Sequence, residues 1–145
     1  MVMKYNGNFV WDSISVLAYK DREGPFKDVT RQIRFEAQLE LSCQVRYFEV
    51  GAGGHSTLER HRHAHFVVVI RGEGEALIGD QIHQLLDKDV VLVPSNSWHQ
   101  FRATQGKPLG FLGIVNGERD KPVLPTPEEL GMMRRSSDVA AFIRA

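Results

Sequence analysis

The stretch from Gly51 to Gly74 contains most of the side chains in this sequence that could do chemistry. It holds four of the six histidines with a glutamate among them, and a run of branched apolar residues follows at once. Imidazole nitrogens and carboxylate oxygens that converge on one point are typical ligands of a divalent metal ion. The stretch therefore predicts a metal site whose ligands are held by a rigid strand. The residues concerned are His55, Glu59, His61, His63 and His65.

The composition argues against several kinds of partner. The 145 residues are most simply one domain, long enough to bury its own core. Lys plus Arg and Asp plus Glu both number 18, so no charged patch for nucleic acid or an anionic membrane surface is predicted. No apolar run approaches the ~18 residues of a membrane span. The N-terminal residues lack the apolar segment of a signal peptide, so we expect a cytoplasmic protein.

Short alternating segments predict the strands that would position these residues. Residues 26–35 alternate between apolar and polar side chains in part, and residues 39–50 place apolar side chains at every second position. Such alternation is typical of strands. Cys43, the single cysteine, lies in the second segment and excludes both an intrachain disulfide and a cysteine-based metal site. We interpret it as a small buried residue rather than a reactive thiol. The residues that share its side of the segment are Leu41, Val45 and Tyr47.

Turns and late helices complete the pattern. Gly79 and Asp80 separate two strand-like runs, which predicts a tight hairpin because glycine supplies the positive φ. Further short apolar runs follow, separated by turn residues. Thr126 and Pro127 then predict the start of a helix, and Ser137 predicts a second one. Many short strands with helices only at the end are typical of an antiparallel β-barrel or sandwich.

Two groups of residues keep the spacing of a known pair of motifs. The first group runs from one glycine to another and holds Gly53, Glu59, His61, His65 and Gly72. The second surrounds a proline turn followed by a histidine and holds Lys88, Pro94, Asn96, His99 and Ala103. In this spacing the chain resembles the cupins, which are small double-stranded β-helix barrels of the jelly-roll kind.

The chain departs from the family pattern in the order of the ligands and, in the second motif, at Lys88, Asn96 and Ala103, which stand where the family has Gly, Gly and Asn. Glu59 stands where the first histidine of the family usually lies, and His65 stands where its glutamate usually lies. Three histidines and one carboxylate are therefore kept, with two positions exchanged. Asn96 replaces the turn glycine, which is a mild change because asparagine tolerates the left-handed conformation.

The resemblance implies an all-β fold, a double-stranded β-helix of the jelly-roll or cupin-barrel type with a short C-terminal helical tail. The barrel would cover residues 26–116, after an N-terminal arm at 1–25 and before a tail with short helices at 117–145. Many cupins pair through N-terminal strands, and unpaired strand edges at residues 14–35 would favour this here. We therefore expect a homodimer.

The resemblance and strand geometry together imply a mononuclear metal site. Residues two apart on a strand face the same way, so Glu59 and His61 can both point inward. His65 begins the next strand, and His99 would come from a third place. Four such ligands leave one or two positions for water or substrate, which suits a catalytic metal. The alternatives are a ligand set with His63 in place of Glu59 and a polar pocket without metal.

We interpret the remaining candidate residues as structural. His55 and His83 are predicted to lie on the surface or in a hairpin, and Trp98 either on the pocket rim or in the core. Arg34 and Arg46 are assigned to a solvated strand face, with contact to an anionic substrate as the alternative. The interior is expected to be apolar and lined by some of Val45, Tyr47, Val67, Val69, Phe101 and Phe111.

For function, the resemblance implies a metal-dependent small-molecule enzyme. In the cupin enzymes that this site resembles, three histidines and one glutamate hold a non-haem iron or a similar ion. Fe(II) is therefore favoured, with Mn, Ni, Zn or Co possible. The most concrete prediction is a dioxygenase that binds a chelating oxygen substrate, with Glu59 as a ligand or as a general base beside the metal. A non-catalytic cupin that binds or senses a small ligand, and a non-redox isomerase, lyase or decarboxylase, remain alternatives.

Overall fold

A computed structural model describes residues 4–20, 23–35 and 41–145. Parts of a predicted turn (Asp21, Arg22) and of a predicted strand (Leu39, Glu40) lie outside these ranges, as does the side chain of Arg34. The strands are β1 (Leu17–Ala18), β2 (Lys27–Phe35), β3 (Cys43–His55), β4 (His65–Gly72), β5 (Gly74–Ile78), β6 (Gln81–Leu85), β7 (Val90–Val93), β8 (His99–Ala103) and β9 (Leu109–Asn116). The helices are α1 (Pro127–Met133) and α2 (Ser137–Phe142).

The strands form one curled antiparallel sheet in the order β6-β5-β8-β3-β9-β4-β7, with β2 on β3 and β1 on β2. The predicted hairpin is confirmed, since Ile78 pairs with Gln81 across Gly79, whose φ is +66°, and Asp80. The all-β fold with short C-terminal helices is confirmed as well. In the part of the chain that the structure describes, no helix is long and apolar enough to cross a membrane.

The first C-terminal helix has its predicted cap, Thr126, and the second begins at Ser137 with Ser136 as its cap. Thr126 accepts a hydrogen bond from the main-chain N–H of Glu129, and the Glu129 carboxylate accepts one from the N–H of Thr126, which together form a capping box. The second helix, α2, packs Val139 and Phe142 into a small core that also holds Leu58 and Leu77. Trp98 packs against this second core, which favours the core interpretation of its role.

The prediction of which side of β3 faces the interior is wrong. Arg46 and Phe48 line the cavity, whereas Tyr47 is buried on the other face. There its ring stacks on Phe9 at 5.8 Å and lies 5.6 Å from the ring of Trp11. Because N-terminal residues cover the outer face, both sides of the strand carry large apolar side chains. Alternation alone could not tell which side is interior.

Candidate metal centre

Three histidines from separate segments meet at one end of the sheet. His61, His65 and His99 each bring one ring nitrogen to within 4.8 Å of the other two. His65 and His99 are the first residues of β4 and β8. A main-chain bridge between Glu59 and His99, with N–H···O distances of 3.1 and 2.9 Å, holds the segment before His61 against the start of β8. The three side chains are thereby placed to hold a metal ion.

Main-chain oxygens set the tautomers of two of these rings. His61 Nδ1 lies 2.7 Å from the carbonyl oxygen of His63, and His99 Nδ1 lies 3.0 Å from that of Ser97. Because a carbonyl oxygen only accepts, each Nδ1 must carry the proton. The lone pair of each Nε2 is then free for a cation, as in known histidine metal sites.

Burial keeps the imidazoles neutral. Burial first, and then the neighbouring imidazoles, lower the pKa of His65 to about 3. Burial also lowers the pKa of His99 to about 4 and lowers the pKa of His61 below its ordinary value. A metal binds the neutral form of histidine, so these rings are ready for ligation at neutral pH without losing a proton. The donor set, the tautomers and the protonation states therefore all suit a divalent metal ion.

Glu59 lies beside the three histidines but is held by a lysine. Its carboxylate is buried, and its Oε2 lies 2.6 Å from Nζ of Lys20, which also donates to Oγ1 of Thr57 at 3.0 Å. Burial and then the charge of Glu59 raise the pKa of the Tyr19 hydroxyl, which hydrogen-bonds Thr57. The group of three histidines does not include Glu59 among the residues described. Its role as fourth ligand stays a prediction.

His63 stacks on His61 instead of joining the group. The two ring centroids are 3.7 Å apart, with 3° between the ring planes. Nδ1 of His63 lies 2.7 Å from Oδ1 of Asp120, and the same carboxylate accepts hydrogen bonds from the main-chain N–H groups of Arg62 and His63. Those hydrogen bonds, the N–H of Arg62 first, lower the pKa of Asp120. Asp120 thus anchors the turn whose carbonyl orients His61.

The remaining two histidines lie apart from this group. His55 is on β3, with Nδ1 3.1 Å from the carbonyl oxygen of Ser56, and His83 is exposed on β6. Neither belongs to the three-histidine group found among the described residues. This placement agrees with their interpretation as structural residues.

A cavity of about 820 Å³ opens in front of the histidines. Its apolar wall includes Val67, Phe101 and Phe111, three of the residues expected there. Val69 packs in the core behind them. Arg46, assigned from the sequence to a solvated face, is half-buried and lines the cavity. The basic residues of the lining are Lys20, Arg31, Arg46, Arg119 and Lys121.

Comparison with known proteins agrees with this geometry. The Cupin domain family matches residues 46–115. A crystal structure of a cupin 2 conserved barrel domain protein from Rhodopseudomonas palustris superposes with a TM-score of 0.94, at 45% identity and with full coverage of both chains. The chain belongs to the cupin family. A crystal structure of a cupin-2 domain from Rhodospirillum rubrum has a TM-score of 0.88 at 48% identity, covering 95% of this chain and 93% of that one.

A relative with a named activity also comes from Rhodospirillum rubrum. It is called 1-methylthio-D-xylulose 5-phosphate methylsulfurylase and is 48% identical over 140 residues, which cover 96% of this chain and 89% of the relative. With the family shown, the double-stranded β-helix barrel predicted from the two motifs is confirmed.

Several residues of the cupin site were not singled out in the sequence. Lys20, Asp120 and Arg119 lie outside both motifs and reach the cavity only through the fold. A signal was present for Arg31, which shares its side of the alternating segment with Val29, a buried core residue. A charged residue on the apolar side of a strand is a candidate for a role inside the barrel.

Proposed function

We propose that this cupin is a metal-dependent enzyme that breaks the carbon–sulfur bond of a 1-methylthio ketopentose 5-phosphate. The observation that carries the proposal is the group of three neutral histidines that line a cavity together with five basic residues. The relative named for 1-methylthio-D-xylulose 5-phosphate supports the choice of substrate, because the two chains align over nearly their whole lengths.

The substrate places its sulfur on the carbon next to a ketone. A divalent ion held by His61, His65 and His99 would polarise the ketone oxygen and stabilise negative charge that develops on it. The family resemblance favours Fe(II). Mn, Ni, Zn or Co are alternatives, because mixed imidazole and oxygen donors suit all of these ions.

Glu59 is the proton-transfer group in this proposal. It is buried next to His99 and ion-paired with Lys20, so its carboxylate is held in one place beside the metal site. There it takes a proton from the sugar or returns one to it. Tyr19 keeps its proton, since burial raises the pKa of its hydroxyl, and it serves as a hydrogen-bond donor. The apolar wall formed by Val67 and the phenylalanines keeps water from the reacting carbons.

The fate of the sulfur distinguishes two routes. If the electrons of the broken bond stay on the sugar, a nucleophile must accept the methylthio group, and a thiol does so by forming a mixed disulfide. The sugar then takes a proton at C1 and becomes a 1-deoxyketose. If Glu59 instead removes a proton from C3, the resulting enediol expels methanethiolate without any acceptor. The second route leaves a 1-deoxy diketone.

A single assay tests the proposal and both routes. Chelator-treated protein is loaded separately with Fe(II), Mn(II), Co(II), Ni(II) or Zn(II) and mixed with the substrate without oxygen, with and without a small thiol. We expect loss of the methylthio group with at least one metal, and mass spectrometry identifies the product. Metal-loaded H99Q protein is the control, which should be inactive. An intact substrate under every condition would refute the proposal.

The dioxygenase predicted from the family resemblance is a second candidate, but the name of the relative does not favour it. Oxygen uptake with a chelating substrate, absent under nitrogen, would support it. Binding of the sugar phosphate without turnover would instead favour the sensing alternative. The homodimer stays a prediction, which light scattering tests through a mass twice that of the chain.

A further inference from the structure

Three arginines line the cavity from neighbouring parts of the sheet. Arg31 lies on β2 opposite Phe48, Arg46 lies on β3 opposite Gly113, and Arg119 follows β9. All three contribute to the wall of the cavity that contains the histidines. Guanidinium groups gathered on one wall repel one another unless an anion lies between them.

The acids in the cavity lining are Glu23, Glu59 and Asp120, and among the described residues none of them is paired with Arg46 or Arg119. Nε of Arg46 donates to the neutral amide oxygen of Gln44, and its Nη2 is buried with no hydrogen-bond partner among the residues that the structure describes. Within the described part of the chain, Arg119 donates only to the carbonyl oxygens of Asn116 and Gly117, at 3.4 and 3.2 Å. Among the ion pairs of the described residues, none joins Arg46 or Arg119 to a carboxylate.

The acids nearest to the metal site are engaged elsewhere. Glu59 pairs with Lys20, and Asp120 pairs with His63. Burial and then the charge of Arg31 lower the pKa of Arg119, which agrees with two cations that lie close together. A buried guanidinium N–H without an acceptor is costly, so a ligand with several oxygens is the natural complement.

We propose that Arg31, Arg46 and Arg119 form the subsite for the phosphate group of the substrate; this inference rests on the proposed function. Phosphate oxygens match the fork of a guanidinium group and accept short charge-assisted hydrogen bonds. A phosphate monoester dianion placed here offsets the charge of the arginines and satisfies the buried Nη2 of Arg46.

The sheet register places this subsite at a suitable distance from the histidines. Arg46 pairs with Gly113, and Gly113 pairs with Val67, which lies two residues after His65 on β4. Arg46 is thus two strand spacings, about 10 Å, across the sheet from β4. Gly113, between them, lines the cavity without a side chain. A five-carbon chain can therefore extend from the metal site, where its ketone binds, to the arginines, where its phosphate binds.

Ligand binding tests the subsite independently of turnover. Isothermal titration of the metal-loaded protein compares inorganic phosphate, D-xylulose 5-phosphate and D-xylulose for wild type, R46Q and R119Q. We expect the wild type to bind the sugar phosphate, and each variant to bind it about 10- to 100-fold more weakly, as expected for loss of one charged hydrogen-bonding group. Affinity for D-xylulose should not change. R135Q, an exposed arginine after α1, is the matched control and should bind as wild type does.

The outcomes separate the subsite from the function. Equal affinities of wild type, R46Q and R119Q for the sugar phosphate would overturn the subsite, as would no binding of the sugar phosphate by wild type. Turnover of the thioether substrate with an unchanged KM in both variants would also overturn it, while the proposed function would stand. Arginine-dependent phosphate binding without turnover would support the subsite and refute the proposed reaction. R119Q alters an exposed loop residue, so the test remains valid if R46Q does not fold.

Discussion

Lys20 Nζ lies 2.6 Å from Oε2 of Glu59, and this ion pair joins residues 39 positions apart in the sequence. The carboxylate is buried, and the lysine is about one-third exposed. The main chain of Glu59 is bridged to that of His99, and the ion pair with Lys20 orients its side chain. This arrangement supports the proposed role of Glu59 in proton transfer, whereas a role as metal ligand would require its carboxylate to leave Lys20.

Replacing Glu59 by glutamine separates the two roles. We expect E59Q to retain its metal, since the three histidines remain, and to lose about 100-fold in kcat, because the amide cannot carry a proton to or from the sugar. Elemental analysis measures the bound metal, and steady-state kinetics measure kcat. E128Q, on the exposed first turn of α1, is the control. Metal loss as severe as in H99Q would instead place Glu59 among the ligands.

Replacing His99 tests the metal centre itself. H99Q should lower metal affinity by at least about 100-fold. Loss of a residue that only hydrogen-bonds to a metal ligand costs roughly 10- to 100-fold, and loss of a ligand itself should cost more. The wild-type protein should hold about one ion per chain. Metal content after dialysis against a weak chelator measures the difference. H83Q removes an exposed histidine of β6 and should retain the wild-type content. Equal metal content in H99Q and wild type would refute the three-histidine site.

The motif spacing singled out His61, His65 and His99, which the fold brings together: His65 and His99 begin β4 and β8, and His61 follows the main-chain bridge between Glu59 and His99. Lys20 and Asp120 could not be found in this way. Each reaches the site from a segment outside the motifs, and the choice of partner, Glu59 or His63, is made by tertiary packing. A lone charged residue in a loop carries no local signal of such a pairing.

The inner face of β3 shows a second limit of sequence patterns. Tyr47 and Phe48 are neighbours of similar size, and either could have faced the cavity. N-terminal residues, among them Phe9, cover the outer face and bury Tyr47, so both faces carry aromatic side chains. When both faces of a strand are covered, alternation no longer marks the interior. The half-buried Arg46 beside Phe48 was therefore assigned to solvent.

Asp120 should affect metal binding without touching the metal. Its carboxylate accepts from the N–H groups of Arg62 and His63 and from the ring of His63, whose carbonyl in turn orients His61. In D120N one carboxylate oxygen is replaced by an NH2 group, which cannot accept a hydrogen bond from these donors. We therefore expect metal affinity to fall by about tenfold. D87N, in the exposed loop before β7, should have no effect. An unchanged affinity in D120N would show that the turn holds its shape without this carboxylate.

The buried imidazoles predict how stability of the metal-free protein depends on pH. The pKa of His99 is lowered to about 4 from an ordinary value of 6.5, so below pH 6.5 the unfolded chain binds a proton that the folded chain does not. Stability is therefore full above pH 6.5 and falls as the pH is lowered toward 4, by on the order of 3 kcal/mol from this residue. Urea denaturation of chelator-treated protein measures the slope.

H99Q isolates this contribution from the carboxylates that titrate in the same range. The metal-free variant should lose less stability than metal-free wild type between pH 6.5 and 4. Parallel pH profiles would contradict the assignment to His99. His65 keeps part of the slope in the variant, because burial lowers its pKa to about 3.

Gly72, which closes the first motif, is predicted to be the less replaceable of two comparable glycines. Its φ is +69°, and a Cβ at this position would lie 1.8 Å from the carbonyl oxygen of Pro108, in the strand connection before β9. Gly79, in the β5–β6 hairpin, has a similar φ of +66°, but no atom lies within 4 Å of the place that a Cβ would take there. G79A should therefore cost only the left-handed strain, about 1 kcal/mol. G72A should cost at least about 3 kcal/mol, since the main chain of a neighbouring strand must move as well. Urea denaturation of both variants gives the two values, and equal losses would show that β9 yields easily at this point.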